Sequence, residues 1–259
     1  MPYIPPAALS APAGRVSIII PLKDQPELLR NCLRSLQATT YRDFEVVLVD
    51  NGSTDPRTLR LLETLQRRPR YHVVADPGPF NFARLCNAGA TAAAGEFFLF
   101  LNNDTEVLDR GWLEELLRIA ADPKVGIVGA TLLYPDRTIQ HAGLFPRSDG
   151  LWVHPYRGLP AEYAGDGDEL RGARCVPAVT AACLLIRKSL FDCLRGFNER
   201  FPVAYNDVDL CQRVRSMGHA VVITPDARLL HYEGLSRGFT VDAPPRPPLY
   251  LDSPTGTGI

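Results

Sequence analysis

Strand-length apolar runs alternate with helix-period segments through the first half of the chain, and this alternation limits the possible folds most. Val16-Ser-Ile-Ile-Ile20 is a nearly continuous β-branched run, the pattern of a strand buried on both faces. Pro26 suits the first turn of a helix, and Leu28, Leu29, Cys32, Leu33 and Leu36 then share one helical face. Glu45-Val-Val-Leu-Val-Asp50 is a second strand, followed by turn chemistry in Asn51-Gly-Ser-Thr-Asp55 and a helix marked by Leu59, Leu62 and Leu65. Tyr71–Ala75 is a third strand, and the Ala-rich stretch 82–94 a third helix. Glu96-Phe-Phe-Leu-Phe-Leu101 is a fourth strand, with a helix near Trp112–Ala121. Strand and helix in strict alternation predict right-handed crossovers and a parallel sheet covered on both faces.

The second half is less regular. Gly126–Leu133, Thr180–Ile186 and Ala220–Ile223 read as strands, and Asp207–Met217 as a helix capped by Gly218. Residues 135–172 carry Pro, Gly, Asp, Arg and His with weak periodicity, too long for a structureless connection. They are expected to form a functional loop or lid with short elements; His141 and His154 within it are read as solvated loop residues. Residues 1–14 and 241–259 are rich in proline, which forbids helix or central strand there. The expected layout is a flexible lead-in over 1–14, one folded unit over 15–240 and a tail over 241–259.

Composition narrows the function classes. Of 259 residues, 46% are hydrophobic and 22% charged, which excludes disorder for the bulk of the chain. Twenty-eight basic and 29 acidic residues give a net charge of −1, so no chain-wide grip on nucleic acid is expected. No apolar run approaches the roughly 18 residues of a membrane span, and Met1-Pro-Tyr-Ile-Pro-Pro6 lacks the charged and apolar regions of a secretory signal. Six cysteines without a Cys-x-x-Cys pair read as buried free thiols of a reducing cytoplasm.

Ligands of open parallel sheets bind beyond the carboxyl ends of the strands. Asp50 ends the second strand there, and Asn102-Asn103-Asp104 ends the fourth. A carboxylate accepting from a base or ribose accounts for Asp50, and one holding a divalent metal on a diphosphate accounts for Asp104. Each also fits a turn or N-cap role. No Gly-x-Gly-x-x-Gly follows the first strand and no Walker A pattern occurs, which disfavours dinucleotide oxidoreductases and P-loop enzymes. Asn206-Asp-Val-Asp209 opens a helix with more acid than a cap requires, and His231 follows a strand with Arg237 nearby, a cation suited to phosphate.

The chain resembles the family 2 glycosyltransferases. The resemblance rests on Val16-Ser-Ile-Ile-Ile-Pro21, Val47-Leu-Val-Asp-Asn-Gly-Ser-Thr-Asp55, Asn81-Phe-Ala-Arg-Leu-Cys-Asn-Ala-Gly89, Gly95–Glu106, Val179–Arg187, Gly196-Phe-Asn-Glu199, Asn206–Cys211 and His231–Gly238, in this order. Rhamnosyltransferase-like members that build bacterial surface polysaccharides also have counterparts of Ile139-Gln-His-Ala-Gly143. The resemblance implies an α/β GT-A fold: one Rossmann-like domain with a mostly parallel central sheet, a nucleotide-binding half over 15–105 and an acceptor-binding half over 106–240. It implies Pro21 and Asp50 in the nucleoside pocket, Arg84 and Asn87 near the nucleotide, and Asn102, Asn103 and Asp104 at the family's Asp-x-Asp metal motif. It implies Asp207 as catalytic base, with His231 reaching metal or phosphate.

Two departures matter. Asn102 stands where the motif has its first Asp, so the site brings one charge fewer to a cation. Asn206 stands where a Glu usually precedes the base, which lowers the pKa of Asp207 relative to a Glu-Asp pair; Asp207 is expected to be ionised at pH 7. The implied activity is inverting transfer of a sugar from a nucleoside diphosphate, UDP or dTDP, to a hydroxyl of a glycan or lipid-linked acceptor, with Mn²⁺ or Mg²⁺. The implied location is cytoplasmic, with any contact at the inner membrane made through the acceptor. A non-catalytic sugar-nucleotide-binding module is the alternative, motivated by Asn102; a nucleotidyltransferase is a third reading.

Overall fold

The computed structural model describes residues 14–233. Most of the lead-in, the whole proline-rich tail and Arg237 lie outside them. In chain order the elements are β1 (Val16–Leu22), α1 (Pro26–Leu36), β2 (Phe44–Asp50), α2 (Pro56–Gln66), β3 (Tyr71–Ala75), α3 (Phe82–Ala92), β4 (Phe97–Leu101) and β5 (Thr105–Val107). The second half contributes α4 (Trp112–Ala120), β6 (Val125–Leu133), β7 (Ile139–His141), β8 (Phe145–Pro146), β9 (Trp152–Val153), β10 (Arg174–Cys175), β11 (Cys183–Arg187), α5 (Lys188–Cys193), α6 (Asn206–Ser216) and β12 (Ala220–His231).

Ten strands form one sheet whose main path runs β10-β12-β6-β11-β4-β1-β2-β3, with β5 on β12 and β7 on β6. The pairs β1–β2, β1–β4, β2–β3 and β6–β12 are parallel, while β11 is antiparallel to both of its neighbours. The six longer strands β1, β2, β3, β4, β6 and β12 therefore point one way, with β11 reversed between β4 and β6. The expected mostly parallel sheet is present, and the reversed strand joins the two halves of the chain into one surface.

Side-chain alternation splits the core between the faces. Ile18, Ile20, Val46 and Leu48 pack with Leu29, Leu33, Trp112 and Leu116 on one side. Ile19, Val47 and Val49 pack with Leu85, Cys86, Phe191 and Phe197 on the other. Helix α3 lies close to the sheet because residue 89 has no side chain: a Cβ there would stand 2.4 Å from Cγ2 of Ile19 and 2.8 Å from Cγ2 of Val49.

Three expectations need correction. Cys175 and Cys193 are exposed rather than buried with the other four cysteines. The last strand does not stop at Ile223; it continues to His231 across an irregularity between Thr224 and Arg228, which absorbs Pro225 without ending the pairing. His141 and His154 are not solvated. His141 is 1% exposed, and the two Nδ1 atoms lie 3.0 Å apart. The 135–172 segment has its own short elements β7, β8 and β9. It also carries a small apolar cluster in which Ile139, Ala142 and Leu170 pack with Leu133 and Leu230.

Candidate active site

The cleft at the carboxyl ends of β1, β2 and β4 has a volume of about 480 Å³. Pro21, Lys23, Asp24, Gln25, Asn51, Asn102 and Asn103 line it, with Phe80, Phe82 and Val203 as apolar walls. The strand ends place these residues for a simple reason: parallel strands in register finish at one level, and the loops beyond them meet there.

The turn between β1 and α1 is the most constrained part of this cleft. Asp24 and Gln25 both take left-handed backbone, with φ of 53° and 54°. Such conformations cost free energy and persist only when neighbours hold them. Here the Asp24 N–H donates to Ser53 Oγ at 2.8 Å, and its carboxylate accepts from the N–H groups of Thr54 and Asp55 at 2.7 Å each. Asp50 completes the same clamp, accepting from the N–H and Oγ of Ser53 at 3.0 and 2.5 Å. Asn51, rather than Asp50, lines the cleft. Lys23, Asp24 and Gln25 escaped sequence reading; the Pro26 helix start beside Asn51–Asp55 was the available signal.

Arg84 and Asn87 are committed elsewhere. Arg84 pairs with Asp76 and donates to the Pro79 carbonyl, bracing the loop that carries Phe80. Asn87 accepts from the Phe197 N–H at 2.9 Å and donates to the Phe197 carbonyl and Glu199 carboxylate, each at 3.0 Å. It clamps the 196–199 loop and is not a wall of the cleft.

At the other side of the cleft, register brings Asp104 and His231 together. Strand β5 pairs with β12 so that Thr105 lies opposite His231, and the Tyr232 N–H donates to the Asp104 carbonyl at 2.9 Å. His231 Nε2 then sits 3.2 Å from Asp104 Oδ1 and 3.1 Å from Asn102 Nδ2. Both Asp104 and His231 are buried.

Among the described residues, no group of three or more His, Cys, Asp or Glu side chains is arranged to hold a metal ion. Two groups converge here with an amide beside them. Neighbouring ligands of an octahedral cation with ~2.1 Å bonds lie about 3 Å apart, and Asp104 Oδ1 and His231 Nε2 are 3.2 Å apart. The pair therefore fits a divalent cation that takes its remaining ligands from phosphate oxygens and water.

Asp207 stands in the first turn of α6. The N-cap is Tyr205, in left-handed backbone with φ of 65°, so Asp207 is not the cap. Its carboxylate accepts from the Val208 N–H at 2.8 Å and the Ala181 N–H at 3.3 Å. Burial raises its pKa above the usual carboxylate value, and hydrogen bonds from Val208, Ala181 and the Thr180 side chain oppose that rise. The neutral neighbour Asn206 is not what sets it. Asp209 is engaged with Arg213 at 2.8 Å.

The segment 180–182 joins the two ends of the site. Its Ala181 N–H meets Asp207, and its Ala182 carbonyl accepts from the Asn102 N–H at 3.0 Å. The segment thus holds the Asp207 carboxylate through Ala181 and the Asn102 backbone through Ala182, and the Asn102 amide adjoins His231.

The glycosyl transferase family 2 model matches residues 17–194. O-antigen biosynthesis protein RfbC of Myxococcus xanthus is 44% identical over 225 residues, covering 86% of this chain and 18% of that protein. The chain therefore spans less than a fifth of that relative's length. An N-acetylglucosaminyl-diphospho-decaprenol L-rhamnosyltransferase of Mycobacterium tuberculosis is 28% identical, covering 81% of this chain and 73% of that one. Among solved structures, the mannosyltransferase PcManGT of Pyrobaculum calidifontis, in complex with GDP-Man and Mn²⁺, superposes with a TM-score of 0.62 at 20% identity, covering 84% of this chain and 56% of that one. The fold is thus that of the GT-A glycosyltransferases. With its strand ends, its Asn102–Asp104 turn and its 180–182 segment all inside the matched region, the chain belongs to glycosyl transferase family 2.

Proposed function

We propose that this chain is an inverting glycosyltransferase that moves a sugar from a nucleoside diphosphate to a hydroxyl of a glycan or lipid-linked acceptor in surface-polysaccharide synthesis. The observation that carries the reading is the 180–182 segment, which holds Asp207 through Ala181 and, through Ala182, the backbone of Asn102, a residue that lines the cleft and adjoins the Asp104–His231 pair. The relatives' names, which include a rhamnosyltransferase and an O-antigen biosynthesis protein, support the substrate class.

Each residue has a defined task in this reading. The cleft between the Lys23–Gln25 turn, Asn51 and Phe80 takes the nucleoside, with uridine or thymidine preferred. Asp104 and His231 hold Mn²⁺ or Mg²⁺, with Asn102 adjoining; PcManGT was solved with Mn²⁺. Such a cation stabilises charge on a leaving diphosphate, a contribution of several kcal/mol. Asp207 accepts the proton of the attacking hydroxyl, worth typically ~10²–10⁴-fold. The 135–172 segment covers the acceptor side and keeps water from the sugar.

Among the described residues, no helix is long and apolar enough to cross a membrane. The proposed location is cytoplasmic, with contact at the inner membrane made through a lipid-linked acceptor. The decisive experiment supplies nucleoside diphosphate sugars with Mn²⁺ and follows their products. Release of nucleoside diphosphate, with the sugar on an acceptor or on water, supports the reading. Donor binding without turnover favours a binding module, and release of pyrophosphate favours a nucleotidyltransferase.

A further inference from the structure

Gln140 lies on β7, 3% exposed, and holds His231 at two points. Its Nε2 donates to the His231 backbone carbonyl at 3.1 Å, and its Oε1 lies 2.6 Å from His231 Nδ1. The order of these contacts follows from chemistry. A backbone carbonyl only accepts, so the amide nitrogen of Gln140 must face it. Oε1 is then left for the ring, and an amide oxygen only accepts as well. His231 Nδ1 therefore carries a proton. In the neutral imidazole the lone pair is on Nε2, and Nε2 is the atom beside Asp104 Oδ1 and Asn102 Nδ2.

We propose that Gln140 is a positioning residue that fixes His231 as the Nδ1–H tautomer, so that Nε2 is presented with Asp104 to a divalent cation. The inference rests on the cation reading of the site given above. A metal-binding histidine commonly depends on the partner of its other nitrogen, and losing that partner typically weakens metal binding ~10–100-fold.

The neighbouring residue makes the role of β7 more specific. His141 Nε2 accepts from the Thr180 N–H at 3.3 Å, and Thr180 belongs to the segment that holds Asp207. Successive strand residues face opposite ways. One short strand thus supports the cation end through Gln140 and the base end through His141.

The test compares wild type, Gln140→Leu and Gln140→Glu, with thermal melts to confirm folding. ¹⁵N NMR of the metal-free protein reads the His231 tautomer. Electron paramagnetic resonance reads Mn²⁺ affinity in the presence of UDP. Wild type should show a protonated Nδ1 held by Gln140. Gln140→Leu should lose the single tautomer and bind Mn²⁺ ~10–100-fold more weakly. Gln140→Glu keeps an acceptor on Nδ1 but loses the donor to the His231 carbonyl, so it should retain the Nδ1–H tautomer and bind Mn²⁺ more tightly than Gln140→Leu, short of wild type. Gln140→Leu added to His231→Ala should weaken Mn²⁺ no further, since Gln140 acts through that ring. An Nε2–H tautomer in wild type overturns the proposal, as does unchanged Mn²⁺ affinity in a folded Gln140→Leu. Absence of Mn²⁺ binding in wild type overturns the cation reading instead, and the NMR comparison then still decides whether Gln140 sets the tautomer.

Discussion

Two aspartates lie two residues apart at the head of α6, and their partners separate them. Asp209 holds Arg213, whose guanidinium also donates to the carbonyls of Leu194 and Gly196 at 2.9 Å each. Asp207 faces the 180–182 segment. Asp207→Asn should keep the fold and donor affinity and lower transfer at least ~10²-fold, the low end for loss of a general base. Asp209→Asn should keep transfer and lose a modest amount of stability, of order 1 kcal/mol, since an amide keeps only part of the contact with Arg213. Turnover, donor affinity and melts of both variants check this. Because burial raises the Asp207 pKa, activity should rise with pH along a limb displaced above the ordinary carboxylate range. At this scale the sequence was partly legible. The resemblance to a known family pointed to Asp207, Asp104 and His231; read alone, the two aspartates also fitted turn or cap roles. The partners of Asp50, Arg84 and Asn87 could not be read, because a polar side chain's role depends on which backbone groups the fold places within 3 Å of it.

Elements were far more legible, because apolar periodicity records which face is buried. All four helices expected in the first half formed, within a residue or two of the expected bounds. Short strands such as β5 and β7 carry too few residues to show a period, yet they position the cation end. The contact between α3 and the sheet provides one prediction. Gly89→Ala puts a methyl against Ile19 and Val49 and should cost ~1–3 kcal/mol through overpacking, measurable as a lower denaturant midpoint. The histidine pair formed by His141 on β7 and His154, just after β9, provides another. Burial lowers the His154 pKa from 6.5 to about 4, and His141 is also pushed well below its ordinary value. Both histidines are held neutral in the fold, so the unfolded chain takes up their protons first on acidification. Stability should be intact above pH 6.5 and fall as the pH drops toward 4, by up to ~1.4 kcal/mol per pH unit for one group. Urea titrations across that range should show a shallower decline in His154→Phe.

For the molecule as a whole, the alternating first half announced the sheet, and the cleft lies at the strand ends where ligands of such sheets bind. The reversed strand β11 was not legible, since a buried strand reads alike in either direction. The proposed site assembles from both halves of the chain: the cleft from the ends of β1, β2 and β4, the Asp104–His231 pair from the β4–β5 turn and the end of β12, and Asp207 from α6. Binding should therefore be coupled. UDP or dTDP at ~100 times its dissociation constant should add about 2.7 kcal/mol of apparent stability, with Mn²⁺ tightening the nucleotide and GDP or ADP weaker than both. Asp104→Ala should remove the Mn²⁺-dependent part. Calorimetry with and without EDTA measures this directly, and equal affinities would refute the coupling.

The stretch between His141 and Thr180 is tied at its base, where Leu144 and Ala178 form a bridge and the His141 ring meets the Thr180 backbone. Beyond that knot the stretch is stitched back to the sheet, by β10 on β12 and by Leu170 against Leu133 and Leu230. A graft of this stretch from a relative should therefore fold only if it keeps those ties, and the acceptor used by such a chimaera, compared with those of both parents, tests whether the stretch sets acceptor choice as proposed.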